Sequence, residues 1–158
     1  MRTKITWGVL AVALVAGVSL SGQLATFPNL MPWYEGLVKP SFNPPRWVFA
    51  PVWTALYVLM ACSFWRIGIL PQRSPGKTFA LSAFLLQLFL NAAWSWMFFR
   101  AQSPFLGLLN IVPQLIAVVA TIGLFGRLDR LAGALIVPLG FWVAYATALN
   151  FAIYRLNG

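Results

Sequence analysis

Five apolar segments limit what this chain of 158 residues can fold into. They cover about residues 5–26, 47–70, 78–99, 104–125 and 131–154. An α-helix rises about 1.5 Å per residue, so about 20 apolar residues cross the roughly 30 Å hydrocarbon core of a bilayer. In lipid, such a segment satisfies its own backbone groups only as a helix. The sequence therefore predicts an all-α membrane protein, a bundle of five transmembrane helices that forms one domain over residues 1–158.

Composition and charge exclude several classes of protein. The chain is 61% hydrophobic and only 8% charged, too apolar to coat a soluble domain. Its net charge of +9 comes from basic residues spread between the apolar segments, as flanking charges of membrane proteins are, so nucleic acid is not an expected partner. With no histidine, one cysteine and two carboxylates, neither a metal site nor a catalytic triad nor an intrachain disulfide is expected.

The connection over about residues 27–46 is much longer than the others. It is aromatic and rich in proline, which stiffens it and removes N–H groups that are costly near lipid. Long loops on compact domains often cover binding sites, whereas aromatic residues beside lipid also form interfacial belts. Composition leaves both interpretations open: a lid over a ligand site, or a belt at the membrane surface.

The first apolar segment has a second interpretation. Arg2 and Lys4 precede an apolar stretch that ends in small residues, as in a secretory signal peptide. The stretch is nevertheless long enough to span the bilayer, which favours a retained helix.

Polar and aromatic side chains share faces within the apolar segments. A polar group within the membrane is energetically costly, so each one is expected to have a structural or functional role. These faces consist of Trp53 and Tyr57 in the second segment, Gln87, Asn91, Trp94 and Ser95 in the third, Asn110, Gln114 and Thr121 in the fourth, and Trp142, Tyr145, Ala146, Leu149 and Asn150 in the fifth. The amides and hydroxyls either bond across helix interfaces or orient a ligand in an aromatic pocket. Such a pocket suits a large, flat or sterol-like molecule, and it suits ions poorly because no carboxylate is predicted deep in a span.

The chain resembles, over essentially its whole length, the translocator protein and tryptophan-rich sensory protein family (TspO/MBR, peripheral-type benzodiazepine receptor-like). The motifs that carry the resemblance are Trp33-Tyr34, the run from Lys39 to Pro45, the run from Val52 to Tyr57, the run from Asn91 to Ser95, and the stretch from Pro138 through Trp142 to Asn150. Eight tryptophans in the chain also suit the family's name.

The resemblance implies a five-helix membrane protein, often dimeric, that binds porphyrin such as protoporphyrin IX as a ligand rather than as a cofactor. Cholesterol-like and benzodiazepine-type molecules are further ligands of the family. Position by position, it implies a pocket formed by Tyr34, Pro44, Trp53, Asn91, Trp94, Ser95, Trp142 and Ala146. The helical faces add Tyr57 and Asn150 to this set. A sterol motif of the family's animal members fails here because Phe151 stands where its tyrosine would be, so porphyrin is the better-supported ligand.

Three activities are compatible with this resemblance. The first is a porphyrin sensor, regulator or scavenger, and the second is a transporter of porphyrin or another amphiphile. The third is light- and oxygen-dependent degradation of porphyrin, for which Trp53 and Trp142 would be the catalytic residues. A bacterial membrane is expected, with inner and outer membrane both open.

The distribution of basic residues predicts an orientation, because cytoplasmic loops carry the excess of Lys and Arg. The side of the N-terminus has Arg2, Lys4, Arg66, Arg73, Lys77, Arg127 and Arg130, and the other side has Lys39, Arg46, Arg100 and Arg155. We therefore expect the N-terminus in the cytoplasm and the C-terminus outside.

A C-terminal alkaline phosphatase fusion should be active and a C-terminal fluorescent-protein fusion dark; the opposite pattern would reverse this topology.

Overall fold

The computed structural model describes residues 2–158, and these residues fold almost entirely into helix. Within this range five helices are long and apolar enough to cross a membrane, and no strand is present. The helices are α1 (Arg2–Thr26), α2 (Arg46–Gly68), α3 (Lys77–Ser95), α4 (Pro104–Leu128) and α5 (Arg130–Asn157). The predicted fold class is confirmed, and the protein is a multi-pass integral membrane protein.

The irregular part of the connection between α1 and α2 is shorter than the sequence predicted. After α1 the chain continues as a 3₁₀ turn, Phe27–Asn29, and a wider π turn, Leu30–Tyr34, with a kink at Met31. The irregular part, residues 37–45, is called the lid loop below. Helix α3 similarly continues through a π turn, Trp96–Arg100. The turns after α1 were missed because Pro28 and Pro32 indicated an irregular loop, and the turn after α3 was missed because its apolar residues continue the span before it.

The helices form a closed ring in the order α1, α2, α5, α4, α3, with α3 returning to α1. The closest approach in this ring is between α4 and α5. A Cβ atom placed on Gly133 would lie only 2.6 Å from the Cα of Gly126, so these two backbones touch. Small residues permit such approach in membrane helices, where van der Waals packing drives association.

A stack of phenylalanines fills the end of the ring away from the lid loop. The Phe84 ring lies 5.0 Å from Phe64 and 5.6 Å from Phe125, which joins α3 to α2 and α4. All three side chains are at most 2% exposed. This end of the bundle is a packed apolar core. The candidate site residues lie in the other half of the bundle.

The antiparallel register of α2 and α5 is fixed by polar contacts. The Ser63 hydroxyl donates to the Ala132 carbonyl at 2.7 Å, and three residues further along α2 the Arg66 guanidinium meets Asp129 at 2.7 Å. Three residues further along α2 thus correspond to three residues earlier on α5. Continued towards the lid loop, the same register places Trp53 opposite Trp142.

One of the expected flanking charges is buried. Lys77 is only 3% exposed, and its Nζ donates to the Gly68 carbonyl at 2.8 Å and to the Leu70 carbonyl at 2.7 Å. A cation is favoured there because the carbonyl end of α2 carries partial negative charge. Its ammonium also lies 5.2 Å from the centre of the Trp7 ring. Lys77 therefore fastens the connection between α2 and α3 and joins it to α1.

Asp129 separates α4 from α5 and has two structural roles. Its Oδ1 accepts the amides of Leu131 at 2.9 Å and Ala132 at 3.1 Å, which caps α5, while its Oδ2 pairs with Arg66. Partial burial alone would raise the pKa of Asp129, but the amide hydrogen bonds and the Arg66 guanidinium together outweigh it and lower that pKa. The stabilisation by Asp129 is therefore present above the unfolded-state pKa and is lost as pH falls through the lower folded-state value.

We expect Asp129→Ala to lower the free energy of unfolding at neutral pH by about 1 to 2 kcal/mol, because it removes the cap and the ion pair. Asp129→Asn keeps a capping oxygen and should lose about half as much. Thermal unfolding in detergent, at neutral pH and again well below the ordinary Asp pKa, measures both. The difference between wild type and Asp129→Ala should shrink in acid. Arg127→Gln, at an exposed position on the same end, is the control, and equal effects of all three variants would contradict these roles.

Candidate functional site

The candidate site lies in the half of the bundle nearest the lid loop, with Trp53 of α2 at its centre. The Trp53 ring is tilted against Tyr57 at 5.4 Å and meets the edge of Trp142 on α5 at 6.5 Å. Phe49 adds an edge contact to Trp142 at 5.9 Å. These residues recur at spacing four on α2, which places them on the face that α5 covers. The structure therefore brings the two tryptophans implicated by the sequence into direct contact.

Two buried asparagines supply the polar groups of the site. The Tyr57 hydroxyl donates to Asn91 Oδ1 at 3.1 Å, which connects α2 to α3. The Trp94 indole N–H donates to Asn150 Oδ1 at 3.1 Å, and Asn150 Nδ2 donates to the Pro104 carbonyl at 2.8 Å. An unpaired amide in lipid is costly, so these partners explain how Asn91 and Asn150 stay buried. In this state the polar groups of the site bind one another.

A second aromatic cluster lies under the lid loop around Tyr34. The Tyr34 ring is 5.4 Å from Phe99 and 6.2 Å from Phe98, and Phe98 stacks on Trp94 at 4.9 Å. The Tyr34 hydroxyl donates to Asn43 Oδ1 at 3.3 Å. This cluster therefore connects the lid loop to the Trp94–Asn150 pair.

The lid loop is fastened to α5 at two places. The side-chain amide of Asn157 accepts from the Val38 N–H and donates to the Val38 carbonyl, both at 2.9 Å. Further along, the Tyr145 hydroxyl donates to the Phe42 carbonyl at 2.5 Å. The last turns of α5 extend beyond the start of α2, and they carry the loop across the end of the bundle. The loop is thus held against α5 at Tyr145 and Asn157, and its function as a lid over a ligand site stays a prediction.

The remaining predicted residues lie at the margin of this cluster. The Ser95 hydroxyl lies 3.3 Å from where a Cβ on Gly22 would stand, so Ser95 faces the interface of α3 with α1. Ala146 is half-buried on α5 and packs against the main core. Pro44 lies in the lid loop, where its carbonyl accepts from Asn43 Nδ2 at 3.1 Å. Ser95 thus faces another helix, and the ten predicted residues do not all face one space; their role in binding stays a prediction.

An open groove of about 790 Å³ lies between α2 and α5. Its walls are almost entirely apolar, and of the ten predicted residues only Pro44 and Trp142 line it. The lining residues are Pro44, Val48, Val52, Ala55, Leu56, Leu59, Val137, Pro138, Phe141, Trp142 and Tyr145. This groove was missed because aliphatic residues that line a groove carry no sequence signal that separates them from residues facing lipid.

The chemistry available at the site is that of indoles, phenols, hydroxyls and amides. The two carboxylates of the chain lie at opposite ends of the bundle, Glu35 paired with Arg46 and Asp129 paired with Arg66. The site residues can therefore stack on a flat ring and exchange a few neutral hydrogen bonds with it. Binding sites for organic molecules typically combine mostly apolar walls with a few such polar groups.

The membrane-spanning helices form a ring, and paired tryptophans lie at the end where the lid loop is bonded to α5. These features define a class of compact, multi-pass membrane proteins. The model of the TspO/MBR family matches residues 9–155. The chain belongs to this family, as its motifs indicated.

Three relatives illustrate the breadth of this similarity. The chain is 38% identical to the tryptophan-rich protein TspO of Chlorobaculum tepidum over 158 residues, which cover 99% of each chain. It is 40% identical to the tryptophan-rich sensory protein of Cereibacter sphaeroides over 125 residues, 79% of this chain and 77% of that one. It is 34% identical to the translocator protein of Sus scrofa over 151 residues, 93% of this chain and 89% of the relative.

Gly107 of α4 tests how tightly the site is packed. A Cβ there would lie 2.7 Å from Asn150 Oδ1 and 2.8 Å from Phe98 Cδ2. We expect Gly107→Ala to displace Asn150, break its bond with Trp94 and lower the free energy of unfolding by about 1 to 3 kcal/mol. Tryptophan emission and thermal unfolding in detergent measure these effects.

Gly123→Ala is the matched control in the same helix, because nothing lies within 4 Å of a Cβ at that position. It should leave both emission and melting temperature nearly unchanged. If Gly107→Ala behaves like Gly123→Ala, the close packing around Asn150 is wrong.

Proposed function

We propose that this protein binds a metal-free porphyrin such as protoporphyrin IX at the aromatic site, and that it acts as a porphyrin sensor, regulator or scavenger. The observation that carries the proposal is the contact of Trp53 with Trp142, 6.5 Å between ring centres, beside the Tyr57–Asn91 hydrogen bond and beneath the lid loop. Large flat rings bind through aromatic faces and edges, and amides can bond to pyrrole N–H groups or to carboxylates.

The relatives support the sensing aspect through their names, since one is called a tryptophan-rich sensory protein. The absence of histidine from the sequence favours a metal-free porphyrin, because the commonest haem ligand in proteins is an imidazole. Homodimerisation and the binding of cholesterol-like or benzodiazepine-type molecules remain predictions from the family resemblance.

Binding requires the site to rearrange. The Tyr57–Asn91 and Trp94–Asn150 bonds close the interior, so an entering ligand must offer replacement partners or leave those bonds intact. Breaking a buried bond without replacement costs about 1 to 3 kcal/mol. A ligand with its own donors and acceptors at the ring centre and edge, as porphyrin has, meets this condition.

We expect Trp142→Phe and Trp53→Phe each to weaken protoporphyrin IX binding about fivefold, because each loses aromatic contact worth about 1 kcal/mol. Titration of purified protein, followed by porphyrin absorbance, measures the dissociation constant. Trp65→Phe is the matched control, since Trp65 lies at the other end of α2, where its indole donates to the Lys4 carbonyl.

Three results would contradict the proposal or change it. Absence of saturable porphyrin binding by the wild type would refute it. Equal weakening by all three tryptophan variants would place the ligand elsewhere. Porphyrin flux into vesicles that depends on the protein would favour the transporter.

Illumination of the complex in the presence of oxygen separates binding from photo-oxidative degradation. The proposal expects porphyrin absorbance to decay no faster in the complex than in detergent alone. Faster decay that is abolished in Trp142→Phe would favour the degrading activity.

A further inference from the structure

The groove between α2 and α5 opens outwards from the ring of helices and has two chemically different walls. Val48, Val52 and Ala55 of α2 form an aliphatic wall, and Phe141 and Trp142 of α5 form an aromatic one. Phe141 is 74% exposed, so this side of the groove is open towards the surroundings of the bundle. Because both helices span the membrane, those surroundings are the acyl chains of lipid.

The groove is large enough for a drug-sized molecule. From Val48 to Leu59 it follows α2 for about 16 Å, given a helical rise of about 1.5 Å per residue. Its volume of about 790 Å³ is within the range of about 300 to 1,000 Å³ typical of small-molecule sites. Its aromatic wall offers a surface on which a planar conjugated ring can stack.

Positive charge lies at one end of the groove. Pro44 and Val48 line that end, and Arg46 lies between them in sequence with a side chain that is 63% exposed. Its partner Glu35 uses part of the guanidinium, which has five N–H donors in all. The mouth therefore favours a ligand whose anionic groups stay near the membrane surface.

The inner side of the groove meets the Trp53–Trp142 pair at the Trp142 side chain. Trp142 lines the groove and also touches Trp53 at 6.5 Å, and Trp53 lies against Tyr57. The Trp142 indole is thus a partition between the lipid-facing groove and the interior. Rotation of this indole would join the two spaces without displacing the lid loop.

We propose that this groove is the membrane-side docking site of an anionic planar tetrapyrrole, which enters the interior past Trp142 with its carboxylates held near Arg46. The inference rests on the proposed function and adds a route, sideways from the bilayer. A ligand that partitions into lipid would reach the site without crossing the fastened lid loop.

The test fills the groove without touching the aromatic site. Ala55 is exposed and lines the groove, whereas Ala50 is exposed on the same helix but does not line it. Protein in nanodiscs is mixed with protoporphyrin IX, and the Soret band is followed by stopped flow. We expect Ala55→Trp to slow association about tenfold and Ala50→Trp to change it less than about twofold. Val137→Phe, on the opposite wall, should reproduce the effect of Ala55→Trp, and thermal unfolding verifies that each variant is folded.

A second arm tests the placement of the carboxylates. Wild type should bind protoporphyrin IX faster than its uncharged dimethyl ester, and Arg46→Gln should abolish most of that difference. Arg100→Gln is the charge-matched control, since Arg100 lies at the same end of the bundle but outside the groove.

The possible results distinguish failure of this inference from failure of the proposed function. Wild-type binding with Ala55→Trp and Val137→Phe unchanged overturns the lateral route, makes the groove an ordinary lipid contact, and leaves the proposed function standing. Slowed association in both groove variants with Ala50→Trp unaffected supports the route. If wild type binds no porphyrin, the proposed function fails and the route fails with it.

Discussion

The side-chain amide of Asn150 holds together the half of the protein that carries the candidate site. Its oxygen accepts from Trp94 on α3, and its nitrogen donates to the Pro104 carbonyl at the start of α4, while its own helix carries Trp142 two turns earlier. Lipid offers no replacement for either bond, so the positions of three helices depend on one residue. Gly107 leaves the room that this amide needs, since any side chain there would meet Asn150. The position of Trp94 follows from this junction, whereas the register between α2 and α5 places Trp53 opposite Trp142.

The two ends of the bundle are built from different chemistry. One end is a dense core that leaves its side chains few alternative conformations. It consists of stacked phenylalanines, the capped start of α5 and the buried ammonium of Lys77. At the other end, hydrogen-bonded amides and aromatic rings lie beneath a lid loop held by Asn157 and Tyr145. Neutral hydrogen bonds can be exchanged for bonds to a ligand, whereas a packed apolar core loses contacts when it opens. A stable end and an adaptable end suit the proposed entry of a large ligand from the membrane.

Much of the candidate site was accessible from the sequence because helical periodicity fixes faces. Trp53 with Tyr57, and Trp142 with Asn150, share faces whatever surrounds them. Periodicity could not show that Ser95 faces α1, because the direction of a face depends on which helix lies beside it. The bond between Val38 and Asn157 joins residues 119 positions apart, and no local pattern indicates it.

The membrane location, the helical class and the approximate spans followed from the order of apolar residues alone, because a lipid bilayer permits only apolar helices that satisfy their own backbone hydrogen bonds. The sequence motifs also determined the family, which the match over residues 9–155 confirms. Only the tertiary structure decided the order of helices around the ring, the partners of the buried amides, the fastening of the lid loop and the groove between α2 and α5. These features depend on contacts between distant segments, where packing and hydrogen-bond satisfaction of the whole bundle select one arrangement among many that share the same local pattern.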